Sequence, residues 1–81
     1  MVLIDRLALV FQEVFGFDSG RFSKAVVPED VPNWDSIGHM NLVASLEKRF
    51  GLRFEVDEIM EMGSAESIVK ILESKGVASE S

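Results

Sequence analysis

Each run of apolar residues at helical spacing in this chain is closed by a glycine, and no alternating run is long enough to pair as a sheet. Ile4, Leu7, Phe11 and Val14, with Val10 and Phe15 beside them, recur at three- and four-residue intervals and stop before Gly16. Ile37, Met40, Val43, Ala44, Leu46 and Phe50 predict a second helix over 36–50, ended by Gly51 at the position just past a helix C-terminus. A short acidic third helix follows over 55–62 and breaks at Gly63. Ser64 is placed to cap a fourth, with Glu66 in its first turn and Ile68, Val69, Ile71 and Leu72 on its buried face. That helix runs to about Ser74 and is ended by Gly76, leaving 77–81 as a frayed tail.

The interval from Gly16 to Asn33 carries Gly20, Pro28 and Pro32 and loses the helical period, so it reads as a long loop with room for one helical turn. At roughly 17 residues it is longer than the usual connection in a compact domain, and such loops are either functional or packed by their own side chains. Phe17, Phe22, Val26 and Val27 are the residues that would tie it down. Leu52-Arg53-Phe54 alternates like a strand but has no second strand to pair with, so it reads as a linker pointing Leu52 and Phe54 inward. The expected fold is all-α: a small four-helix bundle of three long helices and one short one, with a long loop between the first two, in a single domain spanning 1–76. Helices this short are marginal in isolation and must form together around one core.

With 81 residues and no cysteine, the core alone must supply the stability, without disulfides or thiolate metal and redox sites. An apolar fraction of 47% is enough to build one. The formal charge of −6 repels nucleic acid and anionic membranes, and basic protein partners are favoured instead. Asp5 and Arg6 interrupt the apolar start too early for a signal peptide, and no run approaches the roughly 20 residues of a membrane span, so a cytoplasmic monomer without membrane insertion is expected.

Asp35, Ser36 and His39 have the residue types of a hydrolase triad. A triad needs the carboxylate behind the imidazole and the hydroxyl in front of it, which residues crowded at one helix end do not provide. His39 is the one histidine, so a transition-metal site is not expected, and it reads as a solvated helix residue. No glycine-rich phosphate loop and no basic-aromatic interleaving occurs. Glu55, Asp57, Glu58 and Glu61 lie on one short helix instead of facing each other across a pocket; they form a solvated face or an acidic docking strip. No catalytic residue and no metal ligand is therefore assigned. Asp35 and Ser36 remain, either as caps for orphan backbone amides or as a hydroxyl displayed where a helix N-terminus favours an attached phosphate.

Asp35-Ser36-Ile37 opening a helix after a long loop, then Leu42, Leu46, Glu47, Phe50, Gly51, a short acidic helix and a final amphipathic helix, together resemble an acyl carrier protein. The resemblance covers essentially the whole chain and is strongest over 34–72. It implies that Ser36 accepts 4′-phosphopantetheine from coenzyme A through a separate Mg²⁺-dependent phosphopantetheinyl transferase. The arm's thiol would then carry acyl groups as thioesters, which accounts for a carrier without cysteine. Asp35 would cap the helix and present the serine. The resemblance places Met40, Ala44, Leu46, Ile59 and Met62 around a space for the acyl chain, and Trp34, Ile37, His39, Asn41, Glu47, Asp57, Glu58 and Glu61 where synthases, ligases and acyl-transferring enzymes dock.

The second helix departs from the strongly acidic one of carriers in primary fatty acid synthesis. It offers Gly38, His39 and Asn41 at its start and Lys48 and Arg49 near its end, with the acidity moved to the third helix. A basic partner surface would meet Lys48 and Arg49 unfavourably, which points to a specialised fatty-acid, polyketide or modified-lipid pathway. A peptidyl or aminoacyl carrier with the same Ser36 modification, and an unmodified helical interaction module in which Asp35-Ser36 is only a cap, are the alternatives.

Overall fold

Four α-helices account for the regular structure of the computed structural model, which describes residues 2–78: α1 (Leu3–Phe15), α2 (Ser36–Phe50), α3 (Val56–Met60) and α4 (Ala65–Ser74). No strand occurs among the described residues. The helix α1 packs on α2 and α4, and Leu3, Leu7, Val10 and Phe11 from α1 meet Leu42, Val43 and Leu46 from α2 and Ile68, Val69 and Leu72 from α4 in one core. The expected third helix over 55–62 is shorter. Glu58 reaches back to accept the Glu55 amide, starting α3 at Val56, and after Met60 the chain turns to bury Met62.

Between α1 and α2 the chain makes two short 3-10 turns, Ser19–Arg21 and Pro28–Asp30. Phe17, Val26 and Val31 are buried, and Phe22 lies against Phe11 with ring centroids 4.7 Å apart. The loop also serves α4: the amides of Ala65 and Glu66, two of the four that a helix N-terminus leaves without internal partners, donate to the carbonyls of Val26 and Lys24. Ser64 caps the same end by accepting from Ser67 N.

The far end of α4 is closed more tightly than a frayed tail from Val77 implies. Gly76 takes φ +94° and donates to Glu73 O while Val77 N donates to Leu72 O, the paired bonds of a Schellman ending. Val77 then packs half-buried against the core. The rest of the expected tail, 79–81, lies outside the described residues.

The face that α2 turns inward differs from the expected one. Gly38, Leu42, Val43 and Leu46 are buried, whereas Ile37 is 76% and Met40 56% exposed, and Ala44 is exposed too. Residues 38, 42 and 46 repeat every four positions and set the phase of the buried stripe; Ile37 and Met40 fall outside it.

Candidate functional site

The segment 33–39 is set by a close approach of backbone to backbone. Asn33 has φ +72°, a left-handed conformation that asparagine tolerates better than most residues, and turns its carbonyl over the first turn of α2. A Cβ at Gly38 would collide with Asn33 O and lie 3.0 Å from the Phe15 ring. Only glycine lets the loop cross here. Trp34 follows, buried between Phe11, edge-on at 5.1 Å, and Phe15 at 6.0 Å.

Asp35 and Ser36 are exposed immediately beyond this anchor. The Asp35 carboxylate accepts from Gly38 N at 2.9 Å, and its carbonyl accepts from His39 N at 2.7 Å. Among the described residues the amides of Ser36 and Ile37 have no protein partner, so the Ser36 hydroxyl stands beside the unpaired, positive end of a 15-residue helix. A phosphodiester at that oxygen fits the arrangement: it stays in solvent and lies next to unpaired donors. An open groove of about 450 Å³ begins at Ser36 and is lined by Pro28, Trp34, Asp35, His39, Met40 and Met62.

His39 is half-buried and not the solvated residue expected of it. Trp34 Nε1–H donates to His39 Nδ1 at 2.9 Å, and His39 Nε2 lies 2.9 Å from Ile59 O. The two rings are nearly parallel, 12° apart, with centroids at 6.2 Å, which is the geometry of an in-plane hydrogen bond and not of face stacking.

The expected acyl-space residues do not converge. Met40 and Met62 line the groove beside Ser36, but Leu46 is fully buried in the core, and Ala44 faces a different open cleft with Glu47, Lys48, Gly51, Leu52 and Arg53. Ile59 is half-buried and meets the site through its carbonyl.

Of the expected docking residues, Ile37, Asn41, Asp57 and Glu61 are exposed. Trp34 is buried, and Glu47 is half-buried with its carboxylate accepting from Phe54 N at 2.9 Å. Glu58 is held at 2.8 Å by Lys75; its bond from the Glu55 amide, and then Lys75, lower its pKa below the ordinary glutamate range. Three surface residues escaped the sequence reading: Val56 and Met60 on α3, 73% and 80% exposed, and Pro28 in the groove. A sharper signal was available for Gly38, since a glycine inside a helix costs about 1 kcal/mol against alanine and asks for a packing reason.

Residues 34–72 match the family model described as a phosphopantetheine attachment site. No curated protein matches the chain.

Proposed function

We propose that Ser36 bears covalent 4′-phosphopantetheine, the prosthetic group of the attachment-site family whose model residues 34–72 match. One observation carries the reading: within the matched segment, Ser36 is an exposed hydroxyl on the first turn of α2, at the mouth of a groove. The group supplies a thiol, on which a carrier holds its cargo as a thioester. The chain's own residues present the serine. Asp35 caps α2, the Gly38–Asn33 crossing fixes the loop before it, and Trp34 anchors that loop in the aromatic cluster.

The cargo we infer is an acyl chain, handed between partner enzymes without catalysis by the carrier itself. Met40, Met62, Trp34 and Pro28 give the groove a mostly apolar wall, and methionine adapts its shape to guests of different size. Docking falls to the exposed apolar residues Ile37 and Met40 on α2 and Val56 and Met60 on α3, flanked by the carboxylates of Asp57 and Glu61. Lys48 and Arg53 form no ion pair among the described residues and line the cleft at the other end of α2. That mixed-sign surface favours partners of a specialised fatty-acid, polyketide or modified-lipid pathway over one with a uniformly basic patch.

The test is intact mass after incubation with coenzyme A, Mg²⁺ and a broad-specificity phosphopantetheinyl transferase. Wild type is expected to gain one phosphopantetheine unit and Ser36→Ala none. A gain in the alanine variant would move the site, and no gain in wild type with several transferases would leave Asp35-Ser36 as a helix cap. The mass of material loaded in cells separates acyl from aminoacyl cargo.

A further inference from the structure

No residue of α3 is fully buried, Ile59 packing half-buried against the core, and the helix is too short to hold itself together. Two side chains of α2 fix the segment that contains it. Glu47 accepts from Phe54 N just before α3, and His39 meets Ile59 O inside its last turn. The pins stand eight positions apart on α2, about 12 Å at the helical rise, so the segment is strapped along α2 in the opposite direction. A third tie, the ion pair of Glu58 with Lys75, runs to the end of α4. At the Ser36 end of α2, His39 is thus the polar tie to α3, beside the half-buried Ile59 and the buried Met62.

Its protonation state follows from its partners. An indole nitrogen can only donate, so Nδ1 carries a lone pair; a carbonyl can only accept, so Nε2 carries the proton. The neutral Nε2–H tautomer satisfies both at once, and imidazolium would set two donors against each other at Trp34.

We propose that His39, locked as the Nε2–H tautomer between Trp34 and Ile59, is a positioning residue that holds α3 in register with the Ser36 end of α2. The inference rests on Ser36 as the modified residue. It adds that the surface gripped during charging comprises two helices kept in one frame by one imidazole. Ile37 and Met40 are exposed on α2, and Val56, Asp57 and Met60 are exposed on the helix that the imidazole ties to it.

The experiment compares steady-state charging by one transferase, with the carrier as the varied substrate, for wild type, His39→Phe, His39→Gln and Val69→Ala. Phenylalanine keeps a planar ring and loses both bonds; glutamine retains an acceptor and a donor. Val69→Ala loosens the core away from the site. Only the bond to Ile59 O reaches α3, and one net hydrogen bond is worth about 0.5–1.5 kcal/mol, so His39→Phe is expected to raise KM by roughly 2- to 12-fold with kcat within about twofold. Glutamine should recover part of that rise and Val69→Ala should show none of it. In wild type, ¹⁵N spectra of the ring should show a protonated Nε2 and an unprotonated Nδ1, and amide exchange over 56–61 should quicken in His39→Phe.

An unchanged KM in His39→Phe, an equal rise in Val69→Ala, or the opposite tautomer would overturn the inference while leaving Ser36 in place. Failure of wild type to be charged at all would remove the Ser36 assignment, and the inference with it.

Discussion

Gly38→Ala adds one methyl group at the point where the loop crosses α2, and the obstruction it meets is main chain. The new carbon would overlap Asn33 O and sit 3.0 Å from both Asn33 C and the Phe15 ring. A flexible side-chain tip could swing aside, but a carbonyl moves only with its peptide. Relief therefore requires shifting the turn that carries Trp34 and Asp35, or withdrawing α2 from Phe15. Overpacking of this kind costs about 1–3 kcal/mol, with the upper part of the range apt for backbone. Alanine returns about 1 kcal/mol through helix propensity, for a net loss of about 1–2 kcal/mol. In a domain of this size that lowers Tm by roughly 4–16 °C in calorimetry. Gly63→Ala is the control, since nothing lies within 4 Å of a Cβ there and its φ is not positive. It should be neutral or slightly stabilising. A Gly38→Ala variant more stable than wild type by about 1 kcal/mol, the propensity gain alone, would refute the close-approach argument.

Asp35→Ala should cost about 1 kcal/mol, read as a lower urea midpoint at unchanged slope, while Asp35→Asn stays within a few tenths because its amide oxygen still accepts from Gly38 N. Glu58 gives the pH dependence. Its folded pKa is depressed by the Glu55 amide and by Lys75, so its contribution is fully present above the ordinary glutamate range and is lost as pH falls through the lowered value. Stability measured from neutral pH downward should fall less steeply in Glu58→Gln than in wild type over that acidic window, and superimposable profiles would remove Glu58 from the account.

The helices are legible in the sequence because their ends carry local chemistry. Gly51 and Gly76 close α2 and α4, and Ser64 opens α4 by capping. The inward face of α2 is less legible, because Ile37, Met40 and Ala44 supply as much apolar character as Leu42 and Val43, and periodicity weighs residue type without knowing which neighbours are near. Packing decides in favour of the stripe through Gly38, Leu42 and Leu46, which leaves Ile37 and Met40 beside Ser36 in solvent. The loop is legible as a loop, while the bonds from Val26 and Lys24 to α4 connect residues about 40 positions apart and leave no local trace.

His39 and Glu47 show why surface chemistry is the hardest part to read. Both have the polarity of docking residues and occupy a helix that partners are expected to meet, yet each spends a hydrogen bond on the segment containing α3. A five-residue helix whose one core contact is the half-buried Ile59, between the buried Phe54 and Met62, gains little burial of its own, so polar ties help fix where it lies. Those ties face along α2, and the residues they leave outward are Ile37 and Met40 on one helix and Val56, Asp57 and Met60 on the other. The polar side chains of α2 that look available for partners are thus what holds the apolar ones in a common frame. A change of partner specificity should accordingly be sought at the exposed apolar residues and at Asp57 and Glu61, and a moderate weakening of all partners together at His39.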